Sequence, residues 1–290
     1  MDKIVKISGG IGNQLFQYSF GRYLEETFGM NVYYDIKTIQ NNSKFTNRQP
    51  IIKDLIPEIT LYNKQYYSLD LFYRIKRKIV HDYFPKFTSM YVENISRNEI
   101  IDTKSSISKQ YFDGHWQSLN YLNPIENIIR KEIIFNDNLF ELCKKDLIKI
   151  KYNNSCSIHL RRGDYLLPHN AKIFSECGIN YFQEAIKYIL NKSPDTIFFV
   201  FSDDIKWAKE IFIGPEYNFI DSYTSNPIAD LFLMTNCNNN IISNSTFSWW
   251  ASWLNVNPNK IIVSPKIWFN NELRNEILLQ NLINTSHILI

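Results

Sequence analysis

The sequence predicts an α/β protein of two domains, each built on a parallel β-sheet with helices on both faces. Three observations predict it. The chain has 290 residues, enough for roughly two domains of about 150 each. Apolar residues make up 44% and charged residues 21%, so large cores can be buried. Short apolar runs alternate with helical periods, the rhythm of parallel strands joined by crossover helices. The boundary is expected between residues 140 and 141, giving domains 1–140 and 141–290.

Residues 4–8 (IVKIS) read as a first strand, followed at once by GGIGNQ and the periodic helix LFQYSFGRYLEETFG, which stops at Gly29. NVYYDI gives a second strand. From residue 40 to 125 the rhythm is lost, although this stretch holds the basic, aromatic YRIKRKIVHDYFPK and later YFDGHWQSLNYL. NPIENIIRKEIIFNDNLFELCKKDLIKIKYN reads as helices leading to the second half. There SCSIHL is a strand, INYFQEAIKYILNKSP a helix from near Asn180 to before Pro194, TIFFVFSDD an apolar strand and IKWAKEIF a short helix. NFIDSY is a strand, PIADLFLMTNC a helix, NIISNS a strand, TFSWWASWLN a helix and KIIVSP a closing strand.

Composition narrows the function classes. A formal net charge of +3 is too small to argue for nucleic acid. Cys143, Cys156, Cys177 and Cys237 show neither CxxC spacing nor a paired framework, and read as reduced core thiols. The N-terminus lacks the apolar run of a signal peptide, and no window approaches about 18 apolar residues. A cytoplasmic protein without a membrane span is expected, so that Asn94-Ile-Ser96 carries no glycan.

In open parallel sheets ligands bind beyond the carboxyl ends of the strands. That rule selects residues 8–14, 159–165, 202–204, 221–223 and 243–248. In GGIGNQ the glycines allow backbone N–H groups to approach a phosphate or sugar, which nominates Gly10, Asn13 and Gln14. The motif is neither GxGxxG nor a GK[ST] loop, and a plain tight turn fits it equally. In HLRRGDY, alternation puts His159 and Arg161 on one face and Arg162 on the other. Arg161 is then aimed at an anionic ligand such as a diphosphate, and Arg162 pairs with a carboxylate such as Asp164 or one of the first domain. The competing reading makes both arginines structural. In SDD, Ser202 and Asp203 either meet a ligand or cap the helix IKWAKEIF. The start of the helix TFSWWASWLN offers hydroxyls and free N–H groups to phosphate, nominating Asn244, Ser245, Thr246 and Phe247, with Trp249, Trp250 and Trp253 in the core. Asp230, at another helix start, is either a dipole partner or an acceptor for the paired N–H groups of guanine.

GGIGNQLFQY, HLRRGDY, FSDD and DLFLMTNC…ISNSTFSWWASWL, in that order from residue 9 to residue 254, resemble the bacterial α-1,2-fucosyltransferases of glycosyltransferase family 11. DGHWQSLNYL resembles a further family segment, with His115 as a departure from the pattern. The resemblance implies a GT-B architecture, two Rossmann-like domains facing a cleft, with the acceptor on the N-terminal side and GDP-β-L-fucose on the C-terminal one. It implies inverting transfer of fucose to the 2-hydroxyl of a galactoside, with no metal and no other cofactor; the Asp-x-Asp arrangement of metal-dependent transferases is absent. It implies that Arg161 contacts the donor β-phosphate, Ser245, Thr246 and Phe247 the phosphates, Asp230 the guanine and His159 the ribose or guanine. Asp164, Asp113 and His115 are candidate bases, beside a loose mechanism in which the leaving phosphate takes the proton. The expected partner is a galactose-terminated oligosaccharide, lipid-linked in O-antigen or surface polysaccharide synthesis. The basic residues 74–78 then read as a solvated face or as a peripheral contact with the anionic inner face of the membrane. Residues 40–110, which resemble the family too little to carry roles over, are where acceptor specificity is expected.

Overall fold

The computed structural model describes residues 2–37, 39, 49–62, 89–93, 108–223 and 226–290. Residues 74–78 and the triplet at Asn94 lie outside the described residues, as does much of the stretch assigned to acceptor specificity. The chain divides into two compact units, Met1–Ile134 and Phe135–Ile290. The division falls before the expected boundary because Asp137–Tyr152 is one unbroken helix belonging to the second unit. Its Phe140 packs on Phe232, 4.7 Å between ring centres, and its Asp146 accepts a hydrogen bond from the Tyr223 hydroxyl.

In the first unit, β1 (Lys3–Lys6), β2 (Val32–Asp35), β3 (Met90–Val92) and β4 (Tyr111–Asp113) form a parallel sheet in the order β2-β1-β4-β3 among the described residues. Helix α1 (Ile11–Phe28) follows β1 directly and ends at Gly29, whose φ of 64° is the left-handed conformation of a helix stop. Phe20 of α1 stacks on Trp116 at 4.0 Å, which fixes the helix over the segment after β4. Short helices α2 (Leu119–Leu122) and α3 (Glu126–Glu132) follow β4. At its carboxyl edge Lys6 and Asp113, both buried, pair at 3.2 Å.

In the second unit, α4 (Asp137–Tyr152) precedes β5 (Ser155–Leu160), α5 (Ile179–Lys192), β6 (Ile197–Ser202), α6 (Ile205–Ile211) and β7 (Tyr217–Ile220). Then come α7 (Pro227–Thr235), β8 (Asn239–Ile241), α8 (Thr246–Leu254) and β9 (Ile262–Ser264). Beyond the strand expected to close the fold lie α9 (Glu272–Leu282) and β10 (His287–Leu289). All strands are parallel, in the order β10-β9-β8-β5-β6-β7. Helix α5 shows why the pattern was readable: Phe182, Ala185, Ile186 and Ile189 are its buried residues, on one face. The alternation of strand and helix, and the parallel sheets, are as expected. All four cysteines are buried. No described helix is long and apolar enough to cross a membrane.

Candidate active site

The second sheet reverses its winding between β5 and β8. From β5 the chain adds β6 and β7 on one side; it then returns to place β8 on the other. Such a switch point leaves a crevice at the carboxyl ends of the two strands. There the His159 Nδ1 lies 2.9 Å from the Ser243 Oγ, joining the end of β5 to the segment after β8. Burial, and then the charge of Arg161, push the His159 pKa down to about 3, so this imidazole is neutral at physiological pH. Phe247 packs 5.3 Å from its ring.

Arg161 leaves the strand with its guanidinium clamped at both ends. Nη1 is 2.7 Å from the Asp203 Oδ2 and Nη2 is 2.7 Å from the Asp164 Oδ1. Two corrections follow. Asp164 is the partner of Arg161, not of Arg162, and orients the arginine. The protein supplies the carboxylates that hold Arg161, where a substrate anion alone was expected. Each carboxylate engages one terminal nitrogen, and the remaining N–H groups of a five-donor fork stay available. Arg162 pairs with Glu176 at 2.6 Å, lies 3.6 Å from Asp204 and stacks 3.7 Å over the Trp207 ring.

The SDD segment serves this arrangement. The Asp203 Oδ1 accepts the backbone N–H of Arg162, and a Cβ on Gly163 would sit 2.8 Å from the Asp203 Oδ2. The helix cap is Asp204, not the expected Ser202 or Asp203. Its Oδ1 accepts from the Trp207 N–H, while the Ser202 Oγ accepts from the Asp204 N–H. Among the described residues no cluster of three His, Cys, Asp or Glu is arranged around a metal position.

After β8, Ser245 caps α8, its Oγ accepting the Phe247 N–H at 3.3 Å. Thr246 and Phe247 are half-buried beside it. Asn244 corrects the expectation of a ligand contact: it is buried, and its Nδ2 donates to the carbonyls of Ser175 (2.6 Å) and Trp268 (3.0 Å). It clamps the loops after β5 and β9 to each other. Trp249 and Trp250 are buried, and Trp253 packs on both. Asp230 stands in the first turn of α7, which packs beside α8. Its Oδ1 is buried with no hydrogen-bond partner, and burial pushes its pKa up to about 7. A buried acceptor left open in this way fits a donor that arrives with a ligand.

The first-unit candidates gather separately, at the carboxyl edge of β1 and β4. Gly9, not Gly10, is the residue that must be glycine: its φ is 78°, and a Cβ there would meet the Asn13 Nδ2 at 2.7 Å. Gly10 is extended, with open space where a Cβ would point. Gln14 is a structural pin rather than a ligand contact. Fully buried, it donates to the carbonyls of Gly9 and Gln49 and accepts from the Ile52 N–H. The Asn13 Oδ1 accepts from Gln117 at 2.9 Å, tying GGIGNQ to the DGHWQS segment.

Two residues that sequence reasoning passed over complete that tie. Gln17 accepts from the Ser8 N–H and donates to the Gly114 carbonyl at 2.9 Å. Glu93, its pKa raised by burial, accepts the N–H groups of His115 (2.6 Å) and Trp116 (3.2 Å). Trp116 is held at a φ of 55°. A buried polar residue inside an apolar helical face was the available signal for Gln17; Glu93 had none. Of the candidate bases here, Asp113 is paired with Lys6.

The family model described as Glycosyl transferase family 11 matches residues 4–284. An O-antigen biosynthesis glycosyltransferase, WbnK, of Escherichia coli is 29% identical, over 96% of this chain and 98% of its own length. An α-1,2-colitosyltransferase of Escherichia coli is 31% identical, over 93% of each. Among solved structures, the fucosyltransferase NodZ from Bradyrhizobium superposes with a TM-score of 0.54 at 12% identity, covering 86% of this chain and 91% of its own; NodZ soaked with GDP-fucose gives 0.52. That likeness is one of fold, and NodZ is described as an α-1,6-fucosyltransferase.

Proposed function

Since the chain belongs to glycosyltransferase family 11, we propose that it transfers L-fucose from GDP-β-L-fucose to the 2-hydroxyl of a terminal galactoside. In this reading transfer inverts the anomeric centre, needs no metal, and serves O-antigen or surface polysaccharide synthesis at the cytoplasmic face of the membrane. The observation that carries it is the junction at the switch point, where His159 at the end of β5 meets Ser243 after β8 and Arg161, just beyond β5, is clamped by Asp164 and Asp203. A crevice of that kind receives a nucleotide diphosphate. Arg161, pre-oriented by Asp164 and Asp203, faces the charge that develops on the departing GDP, and the N-terminus of α8 adds its free N–H groups. His159, neutral and buried, presents a hydrogen bond rather than a charge. The open Asp230 oxygen suits the paired N–H donors of guanine. In place of a metal, guanidinium and helix dipole stabilise the leaving group: the SDD carboxylates that would hold a cation are engaged by Arg161, Arg162 and the α6 cap.

The test is GDP release from GDP-fucose with a panel of β-galactosides, with EDTA present, and linkage of the product read by NMR. An α-1,2-fucosylated galactoside is the expected product; release with no galactoside, or another linkage, rejects this acceptor assignment. The colitosyltransferase relative favours a second donor, since colitose is fucose without its 3-hydroxyl. Preference for the 3-deoxy sugar nucleotide in the same assay would select that reading.

A further inference from the structure

Around Arg161 and Arg162 the charges do not balance in favour of an incoming anion. The two guanidiniums face Asp164, Asp203, Asp204 and Glu176, and His159 is neutral. Among the described residues, two guanidiniums against four carboxylates leave this cluster acidic. A nucleoside diphosphate brings still more negative charge, so a further cation must face it.

Among the described residues Arg274, in the first turn of α9, is the guanidinium without a counter-charge. Arg22, Arg130, Arg161 and Arg162 all pair with carboxylates, whereas no carboxylate pairs with Arg274 among the described residues. Its Nε is buried with no hydrogen-bond partner, and the group lies 3.9 Å over the Phe269 ring. A half-buried guanidinium left so is costly unless an anion meets it.

The fold carries Arg274 to the candidate site. β9 lies beside β8, so the loop from β9 to α9 opens at the same carboxyl edge as residues 243–246. Asn244 holds that loop through the Trp268 carbonyl. A row of rings then links the arginines: Phe269 lies 5.4 Å from Phe174, Phe174 stacks on Tyr165 at 4.3 Å, and Arg161 lies 5.8 Å from the Tyr165 ring. Arg274 also interacts electrostatically with Tyr165.

We propose that Arg274 is a second diphosphate-binding arginine of the donor site, preset on Phe269 to face the phosphates opposite the clamped Arg161. This rests on the GDP-sugar reading given above. Arg274 binds the charged leaving group as a lone cation; Arg161, neutralised by its own carboxylates, supplies direction.

Titration calorimetry with GDP and with guanosine, on the wild type, Arg274→Met and Arg274→Lys, tests the proposal. Methionine keeps a stem on Phe269 while removing the charge. Loss of one charge-assisted contact is expected to weaken GDP binding about 10- to 100-fold. Guanosine affinity should be unchanged, with part of the GDP affinity restored by lysine. An Arg274→Met protein that binds GDP as well as the wild type overturns the proposal. So does an equal loss for GDP and guanosine, which marks a packing role. A wild type that binds guanosine and GDP equally, or neither, overturns the donor reading itself.

Discussion

Arg161 is held by two carboxylates before any substrate arrives, and its replacement by lysine removes a fork as well as an ion pair. Arg161→Lys should lower kcat/KM for the donor about 100- to 1,000-fold in a GDP-release assay; near-normal turnover would remove Arg161 from the mechanism. Gly163 is tuned to the same clamp. A methyl group there crowds the Asp203 Oδ2, so Gly163→Ala should cut activity while leaving the melting temperature nearly unchanged. In the other unit, Lys6→Met removes the buried cation that pairs with Asp113 and should cost about 3–5 kcal/mol in urea unfolding. Strand alternation alone made His159 and Arg161 legible as a pair. Their partners were not legible, because Asp203 and Ser243 reach them through strand neighbours that periodicity does not name. Gln14 and Asn244 misled for a related reason: a polar residue near a turn has the same appearance whether it meets a ligand or a backbone carbonyl.

Elements of the second unit were readable where a long amphipathic helix followed a long apolar strand, as β5, α5 and β6 do. β3 and β4 have three residues each, too short for any period to declare itself. α9 buries only Ile277, Leu278 and Leu282, so its apolar face hardly marks it as a helix. The start of α1 illustrates how one turn separates two adjacent glycines. Gly9→Ala forces a side chain into a left-handed φ and against Asn13, at a cost of about 1–3 kcal/mol, whereas Gly10→Ala should be nearly neutral. Equal urea midpoints for the two variants would contradict this account of the turn.

At the scale of the whole molecule, His159, which is buried, and His287 and Asp230, which are partly buried, are among the described groups that shape the response to pH. His159 and His287 have pKa values of about 3 and about 4, below the ordinary 6.5, so the stability tied to them is present above pH 6.5 and lost as pH falls. Asp230, raised to about 7 by burial, acts oppositely: its contribution is full below the ordinary 3.8 and disappears as pH rises through 7. Stability from these groups should rise from pH 4.5 to about 7 and then level off, and Asp230→Asn, which removes the opposing contribution, should steepen the rise in urea titrations. If Asp230 accepts from guanine as a carboxylate, guanosine should bind about tenfold more weakly at pH 6 than well above pH 7, with no such slope in Asp230→Asn. The two-unit α/β plan was legible because strand and helix alternate along the chain; the reversal at β5 and β8 was not, because it depends on which strand returns to which neighbour. That reversal also bears on biosynthesis. His159 and Ser243 are 84 residues apart, so at ribosomal speeds β5 waits about 4 to 17 seconds for the segment that will cover its free side. During that interval the nascent chain presents an apolar strand edge, which makes the emerging polypeptide a client for chaperones before it is an enzyme.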